Sequence, residues 1–555
     1  MANETQSRMQ AWADLANAGG FLGRFTAGFV AIFLSIVFIL TINLLWTTRE
    51  YHARVHEARG SAKVKPGRVP LIPYAIPVLG STLSFSTQKV GAYWRWLFAE
   101  CRQRGIRAVS ILLNGKKTHF IFTPDGVSGA FKSRSLTRFE LDRQLGRNSL
   151  GMSAEDALKA FPSDLNPKTS LTTERIHANM LLSTAAVNTL TDKFIEVFEK
   201  RLLDADVDDH GLEVNLYQWI REQTFHASMV SLGGTKLLEM FPDISSDFWV
   251  WDEGLVGMLF GTPRLFARKA YAARDNLIDK LEQWLAAGYA TPADESDPDW
   301  EPTFGAKVMR KRHEYYAQQK MSLRGQGSAD LVFFGGILTN AIPTIGWMLM
   351  HILSPTNPPE LRSWAMDEIK SAQKEDGSID VPLLSKLPLL NSMFHEVLRV
   401  YIDLLIVRQV DADTTIGSHI LHKNEMIMAP SWLSHRNPEN FDKPDAFDPA
   451  RFLIDDPKTG KMKFSTEGLT GKFFPFGGGH YMCPGRTFAK QEVLGAVAVL
   501  MLKFDIEFVE FVKPLGEAFV PAGKSADGFP RLNNGYSGNV VVGLEGDMKI
   551  KLRRK

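Results

Sequence analysis

"KFFPFGGGHYMCPGRTFAK", residues 472–490, carries one of only two cysteines in a chain of 555 residues. Three phenylalanines, three glycines and a tyrosine precede Cys483, and Pro484-Gly485-Arg486 opens what reads as a helix. A lone cysteine cannot build a four-ligand zinc site, and the chain has no C-x-x-C pair. The loop also lacks the G-x-x-x-x-G-K-[ST] spacing of a phosphate cradle. His480, three residues before the cysteine, leaves a nucleophile with its own base open.

A further reading is an axial thiolate for haem iron. That role needs a sulfur kept ionised and shielded. Backbone N–H groups of a Gly-rich turn and the positive end of a following helix favour negative sulfur. Glycines let the chain pass flat beneath a macrocycle, and Phe476 would wall the sulfur from water. A thiolate ligand pushes electron density onto iron and favours O–O cleavage.

Working outward, residues 25–46, "FTAGFVAIFLSIVFILTINLLW", carry no charge. At ~1.5 Å per residue a helix of this length spans a ~30 Å hydrocarbon core, with Trp46 as an interfacial anchor. A cleaved signal peptide has a shorter apolar run and a small-residue cleavage site, which "TINLLWTTRE" does not offer. Arg8 and Arg24 precede the run, whereas Arg49, Arg54, Arg59, Lys63, Lys65 and Arg68 follow it. The positive side faces the cytoplasm, so a single-pass anchor with a cytoplasmic body is expected. Two cysteines so far apart, Cys101 and Cys483, agree with a reducing compartment, and Cys101 reads as a small buried residue. Pro66, Pro70, Pro73 and Pro77 make a stiff, extended linker. The net charge of +2 implies no strongly charged partner, and nucleic acid is not expected.

In the body, residues 108–124 predict a hairpin around Asn114-Gly115. Residues 171–205 predict a helix with Met180, Leu181, Val187, Leu190, Phe194, Val197 and Leu202 on one apolar set. Residues 290–305 read as a polar, Pro-rich loop. Residues 329–353 are apolar all round, which predicts a helix buried through the body, a second membrane span being the rival. No repeat appears. The expectation is a mainly α chain with a minor β part. It divides into a short segment 1–24, an anchor 25–46, a basic and Pro-rich hinge 47–80, and one catalytic domain 81–555.

Phe476-x-x-Gly479-x-x-x-Cys483-x-Gly485 resembles the haem-binding signature of the cytochrome P-450 family. "HEVLR" adds Glu396-x-x-Arg399, one helix face, and "FDPARF" adds Arg451. The resemblance implies a buried network of these three, an axial ligand at Cys483, and haem b with NADPH acting through a membrane reductase. It implies a cofactor-binding set of Phe476, Gly479, His480, Tyr481, Gly485, Arg408 and His177. Arg408 matches a propionate arginine, and His435 matches a position read as structural.

The chain departs from the family pattern in three places. Tyr481 stands where most members carry a propionate arginine, with His480 beside it as a substitute donor. "ERIHANMLL" lacks the usual Trp-x-x-x-Arg, leaving Arg175 or His177. In the central helix the usual acid and alcohol are replaced by Ile342 and Pro343, so that Asn340 faces the distal pocket and Thr344 partly restores a hydroxyl. Asn340-x-x-Pro343 with Trp347 resembles the branch of cholesterol 7-alpha-hydroxylase, sterol 12-alpha-hydroxylase and prostacyclin synthase. The resemblance implies a monooxygenase of the endoplasmic reticulum membrane acting on a lipophilic substrate such as a sterol, terpenoid or meroterpenoid. The alternatives are a haem-thiolate isomerase needing no external electrons and a non-enzymatic haem or sterol binder.

Overall fold

The computed structural model describes residues 2–59, 68–87, 92–163, 172–259, 261–292, 294–417, 419–512, 528–532 and 540–555, with side chains described from residue 29 onward except at 59, 92 and 95. The chain starts on one long helix, Ala2–Arg59. Its stretch Phe29–Ala58 is long and apolar enough to cross a membrane, and Phe29, Phe33, Phe38, Leu45 and Trp46 are all exposed. The helix runs on past Trp46 into the residues expected to open the hinge, because Thr47 and Asn43 are tied to the body. Asn43 Nδ2 donates to the Tyr74 and Ala75 carbonyls at 2.9 and 3.0 Å, and Thr47 Oγ1 donates to the Tyr74 carbonyl at 3.2 Å.

Residues 68–80 are docked rather than a free spacer. Prolines lack an N–H, but their neighbours do not, and their own carbonyls still accept. Ile72 N–H donates to the Ser110 carbonyl at 2.8 Å, and Ser110 N–H donates to the Pro70 carbonyl at 2.7 Å. The segment thereby lies along the predicted hairpin, whose strands are Ala108–Leu113 and Lys116–Ile121. Asn114 (φ 47°) and Gly115 (φ 76°) both take the left-handed conformation that a two-residue hairpin turn requires. Strand Lys116–Ile121 then pairs in parallel with Met426–Pro430, which pairs antiparallel with Leu405–Val410. Leu136–Thr137 closes this five-stranded sheet.

The helical body surrounds Leu323–Leu353, a helix of 31 residues and so ~46 Å long. Ser322 caps its start by accepting from Gly325 N–H at 2.9 Å. It packs against helices Leu216–Gly233, Arg268–Tyr289, Pro388–Tyr401 and Arg486–Lys503. Most of its apolar stretch is buried within the protein, so it is a core helix and not a second span. Pro343 lies inside it without ending it. The expected helix over 171–205 is two, Thr173–Leu181 and Thr184–Leu203, because residues 182–183 interrupt it; position 171 lies outside the described residues. Val187, Leu190, Phe194 and Leu202 are buried as expected, with Phe198 added, while Met180 and Val197 are half-buried. The Pro-rich loop 290–305 holds a small ribbon, Trp300–Glu301 against Gly305–Ala306. Trp300 Nε1 anchors it on the Val230 carbonyl at 3.0 Å. Cys101 is 1% exposed, and burial pushes its thiol up to about 12, as suits a packing residue.

Helix Pro388–Tyr401 carries the expected network. Glu396 and Arg399, three residues apart on one face, are both fully buried. Arg399 grips the carboxylate twice, Nε to Oε2 at 2.7 Å and Nη2 to Oε1 at 2.8 Å. Arg451 Nε reaches both carboxylate oxygens at 3.0 Å. The free guanidinium edge of Arg399 donates to the His435, Pro444 and Ala446 carbonyls at 2.9, 2.6 and 2.9 Å. Removing one partner strands a buried charge, which costs ~3–5 kcal/mol. Arg399→Leu is therefore expected to lower the unfolding free energy by about that amount. A denaturant-unfolding midpoint indistinguishable from wild type would contradict the assignment.

Candidate active site

His435 connects the network to the cysteine loop. Its carbonyl takes the Arg399 bond, and its Nε2 accepts from Phe474 N–H at 3.0 Å. Burial, with Arg399 and Arg436 nearby, holds its basicity far below the usual histidine range. A neutral ring can accept at Nε2, so its role is structural, as expected. Phe474 begins a loop whose next anchor is Cys483 N–H donating to the Phe476 carbonyl at 2.9 Å. Gly477 and Gly479 take positive φ, and a short 3-10 turn, Gly479–Tyr481, brings the chain to the cysteine. A Cβ on Gly479 would stand 2.1 Å from the Phe131 carbonyl oxygen. The loop thus lies pressed against helix Pro124–Lys132.

Helix Arg486–Lys503 starts directly after the loop. The backbone N–H groups of Gly485 and Arg486 bond the Cys483 sulfur, and the Arg486 guanidinium lies nearby. These favour the thiolate, but burial outweighs them and pushes the thiol up. The sequence reading expected the loop itself to keep the sulfur ionised. In the fold the loop aims two N–H groups and one guanidinium at the sulfur, and these alone do not offset its burial.

Cys483 lines a cavity of about 950 Å³. Phe476, Tyr481, Gly485, Arg408, His177, Asn340 and Thr344 line the same cavity, so the fold brings most of the expected set together. Phe476 packs near-parallel to Phe394 at 6.4 Å. Gly485 leaves the sulfur side open, since a Cβ there would lie 3.9 Å from Sγ. Gly479 is not on the cavity wall; it shapes the loop. His480 is a correction: it is exposed, off the cavity, and its ring meets the Tyr481 ring at 5.2 Å. The 3-10 turn points it outward, so it does not stand in for the missing arginine. Arg175 is likewise exposed and off the cavity, whereas His177 is on it. His177 Nε2 pairs with Arg312 Nη1 at 2.8 Å, and burial with that cation lowers its pKa to about 3.

Arg408, on strand Leu405–Val410, is 5% exposed. Its guanidinium lies 4.6 Å from the Tyr481 ring centroid, and Nη1 donates to the Val407 carbonyl at 2.7 Å. Among the described residues no carboxylate lies within ion-pair distance of it, and burial lowers its pKa to about 10. Asp142, itself held by Arg138, and Tyr481 offset part of that burial, and a buried guanidinium without a direct ion pair on a cavity wall can receive a ligand anion.

The central helix presents Gly336, Ile337, Asn340, Ala341 and Thr344 to the cavity. Asn340 Nδ2 donates to the Gly336 carbonyl at 2.9 Å and its Oδ1 accepts from Val541 N–H at 3.2 Å. Thr344 Oγ1 donates to the Asn340 carbonyl at 2.6 Å. Ile342 turns away into the core, so the position of the usual acid carries no polar group toward the cavity. Trp347 Nε1 donates to the Val542 carbonyl at 2.8 Å, and its ring stacks on Tyr401 at 3.7 Å.

Sequence reasoning missed Arg138, Arg312 and Asp403, all on the cavity. Arg138 N–H bonds the Tyr481 hydroxyl, and its guanidinium holds Asp142 at 2.7 Å. Arg312 is clamped by the Ala329 carbonyl at 2.8 Å and Asp330 at 3.1 Å. None of the three belongs to a spaced motif, and only the fold brings them to the wall.

The cytochrome P450 family model matches residues 70–518, and the chain belongs to that family of haem-thiolate proteins. It is similar to the cytochrome P450 monooxygenase calL of Penicillium decumbens, 27% identical over 68% of this chain and 71% of that one. It is also similar to the cytochrome P450 monooxygenase efuG of Hormonema carpetanum, 26% identical over 88% and 92% of the two chains. Cytochrome P450 7B1 of Mus musculus is 26% identical over 81% of this chain and 87% of its own. The last agrees with the branch expected from Asn340 and Pro343. The protein is accordingly an oxidoreductase of the P450 monooxygenase class.

Gly479→Ala tests the loop geometry. The left-handed conformation alone costs ~1–2 kcal/mol with a Cβ present, and the contact with Phe131 adds to it. The unfolding midpoint is expected to fall, and an unchanged midpoint would contradict the loop described.

Proposed function

We propose that the chain is a membrane-anchored haem-thiolate monooxygenase that inserts one oxygen atom of O2 into a lipophilic substrate of the sterol, terpenoid or meroterpenoid kind. The observation that carries the reading is a single cavity bearing Cys483 and the buried cation Arg408, with Asn340 and Thr344 from the central helix. These residues fit haem b. Cys483 would ligate iron, supported by the N–H groups of Gly485 and Arg486. Arg408, which lacks a carboxylate partner among the described residues, would take a propionate, with Arg138 and Tyr481 beside it. Phe476 and Phe394 would shield the sulfur side from water.

When bound, haem iron supplies oxygen activation and insertion, with two electrons coming from NADPH through a membrane reductase. The chain's own residues do the rest. Phe85, Leu113, Leu145, Phe333, Leu404 and Val540 give the cavity apolar walls that desolvate a greasy substrate. The Asn340 amide is fixed at both ends by backbone, and the Thr344 hydroxyl proton is engaged by the Asn340 carbonyl. The pair offers oriented polar atoms without a titrating acid.

The exposed apolar helix supports anchoring in a membrane, the charge asymmetry about it supports a cytoplasmic body, and the family resemblance supports the endoplasmic reticulum. The catalytic unit is then 81–555, with the docked segment 68–80 fixing its attitude to the anchor. The missing acid–alcohol pair favours one second reading, an isomerase that needs no external electrons.

Cys483→Ser is expected to abolish the thiolate Soret band of the reduced, carbon monoxide-bound protein; a retained band would reassign the ligand. Substrate turnover by the purified enzyme without NADPH and reductase would replace the monooxygenase reading with the isomerase. Arg408→Leu should lower the haem-to-protein ratio after gel filtration several-fold, while Arg175→Leu and His480→Leu leave it unchanged. Equal loss in all three would remove Arg408 from the cofactor site.

A further inference from the structure

One wall of the cavity holds a carboxylate that the proposed chemistry does not use. Asp403 follows the buried helix Pro388–Tyr401 and precedes strand Leu405–Val410. It lines the cavity and is partly accessible. Its backbone is fixed, since Asp403 N–H donates to the Val540 carbonyl at 2.8 Å. Its carboxylate receives one side-chain donor, Trp94 Nε1, at 3.0 and 3.3 Å from the two oxygens. No lysine, arginine or histidine lies within ion-pair distance of it among the described residues. An ionised carboxylate has about four acceptor directions, and one N–H fills one or two of them.

The surroundings sharpen the point. Trp94 packs edge-on to Phe85 at 5.8 Å and to Tyr93 at 5.6 Å, and all three aromatics line the cavity. Leu404, Ile402 and Val540 complete the apolar surroundings along the same stretch of wall. Burial raises the Asp403 pKa to about 7 against the Trp94 bond and the charge of Arg436. Fixed, under-donated and set in apolar surroundings, this acid is placed to take a donor from the ligand side.

We propose that Asp403 is a specificity-determining acceptor that anchors a hydroxyl group of the otherwise apolar substrate. The inference rests on the monooxygenase reading only for its substrate class. A neutral hydroxyl fits better than an ammonium group, because the same cavity carries Lys116, Arg138, Arg312 and Arg408 against only Asp142 and Asp403. A substrate carboxylate would be repelled by Asp403 itself.

The test is equilibrium binding to the full-length holoenzyme in detergent micelles, by dialysis of labelled probes and by the haem absorption. Four rigid probes are compared: 5α-cholestan-3β-ol, its 3-methyl ether, the parent cholestane and the 3β-amine. At pH 8.5, above the raised pKa of Asp403, the wild type is expected to bind the alcohol about tenfold or more tightly than the ether or the hydrocarbon, in keeping with a hydrogen bond to an ionised group. Asp403→Leu should remove that preference while leaving hydrocarbon affinity and the carbon monoxide-bound thiolate spectrum in place. Absence of an alcohol preference in the wild type overturns the proposal without any variant. So does an alcohol preference that survives in Asp403→Leu, or an amine bound more tightly than the alcohol. The readout is binding and not turnover, so failure of the monooxygenase reading shows separately, in the NADPH requirement.

Discussion

Glu396 is the point on which the haem-side architecture turns. One carboxylate receives two guanidinium groups, and no part of Glu396 or Arg399 reaches solvent. Such a cluster adds little net stability, because desolvating three charges offsets most of their mutual attraction. What it contributes is position. Arg399 spends its remaining donors on the carbonyls of His435, which ends the short helix Ser431–His435, and of Pro444 and Ala446 in irregular chain. Glu396 also accepts from Asp448 N–H at 2.9 Å, ahead of Arg451. Irregular backbone buried without partners is costly, and here the network supplies them. The segment between strand Met426–Pro430 and the cysteine loop is thereby folded around one helix face.

The constraint reaches the sulfur through His435. Because that ring is neutral, its Nε2 can accept Phe474 N–H, which sets where the loop begins. Two further contacts determine where it ends: Cys483 N–H on the Phe476 carbonyl and Gly479 against Phe131. Arg486 Nη1 then donates to the Cys483 carbonyl at 2.8 Å and locks the loop to the helix that follows. The cysteine is held by backbone and by neighbours that do not titrate near neutrality. Its geometry is fixed independently of its own protonation, which is what a preorganised ligand needs.

Legibility in the sequence followed the range of the interactions. The hairpin at Asn114-Gly115, the buried central helix, the exposed apolar N-terminal helix and the Glu396–Arg399 pair all rest on local spacing, and each appears in the fold. The cysteine loop was legible because its glycines answer to local backbone demands. Reading failed where the reason lay elsewhere in the chain. The stretch from Pro66 to Pro77 read as a stiff, extended linker, and the docking of residues 68–80 was not legible because its partner, Ser110, lies on a separate strand. His480 read as a donor because adjacency in sequence says nothing of which side of a 3-10 turn faces the cavity. Arg138, Arg312 and Asp403 carry no motif, and nothing short of the tertiary contacts brings them to one wall.

The polar groups of the cavity divide by whether they can change charge. On the central helix Asn340 is an amide, and its orientation is fixed by Gly336 and Val541. Thr344 has its proton committed to the Asn340 carbonyl. Neither titrates, so the hydrogen-bond pattern they present is the same across the physiological pH range. The acids among the described lining residues are instead Asp142 and Asp403, on other elements. Asp142 is already held by Arg138 at 2.7 Å. Asp403 alone combines a cavity position with acceptor capacity left over. Relocating the acid from the central helix to the segment after Arg399 changes what it can do: it moves from the residues expected to relay protons to a wall lined by aromatic rings. In this chain the division of labour follows from that placement, with the helix supplying a fixed polar surface and the acid supplying discrimination among ligands.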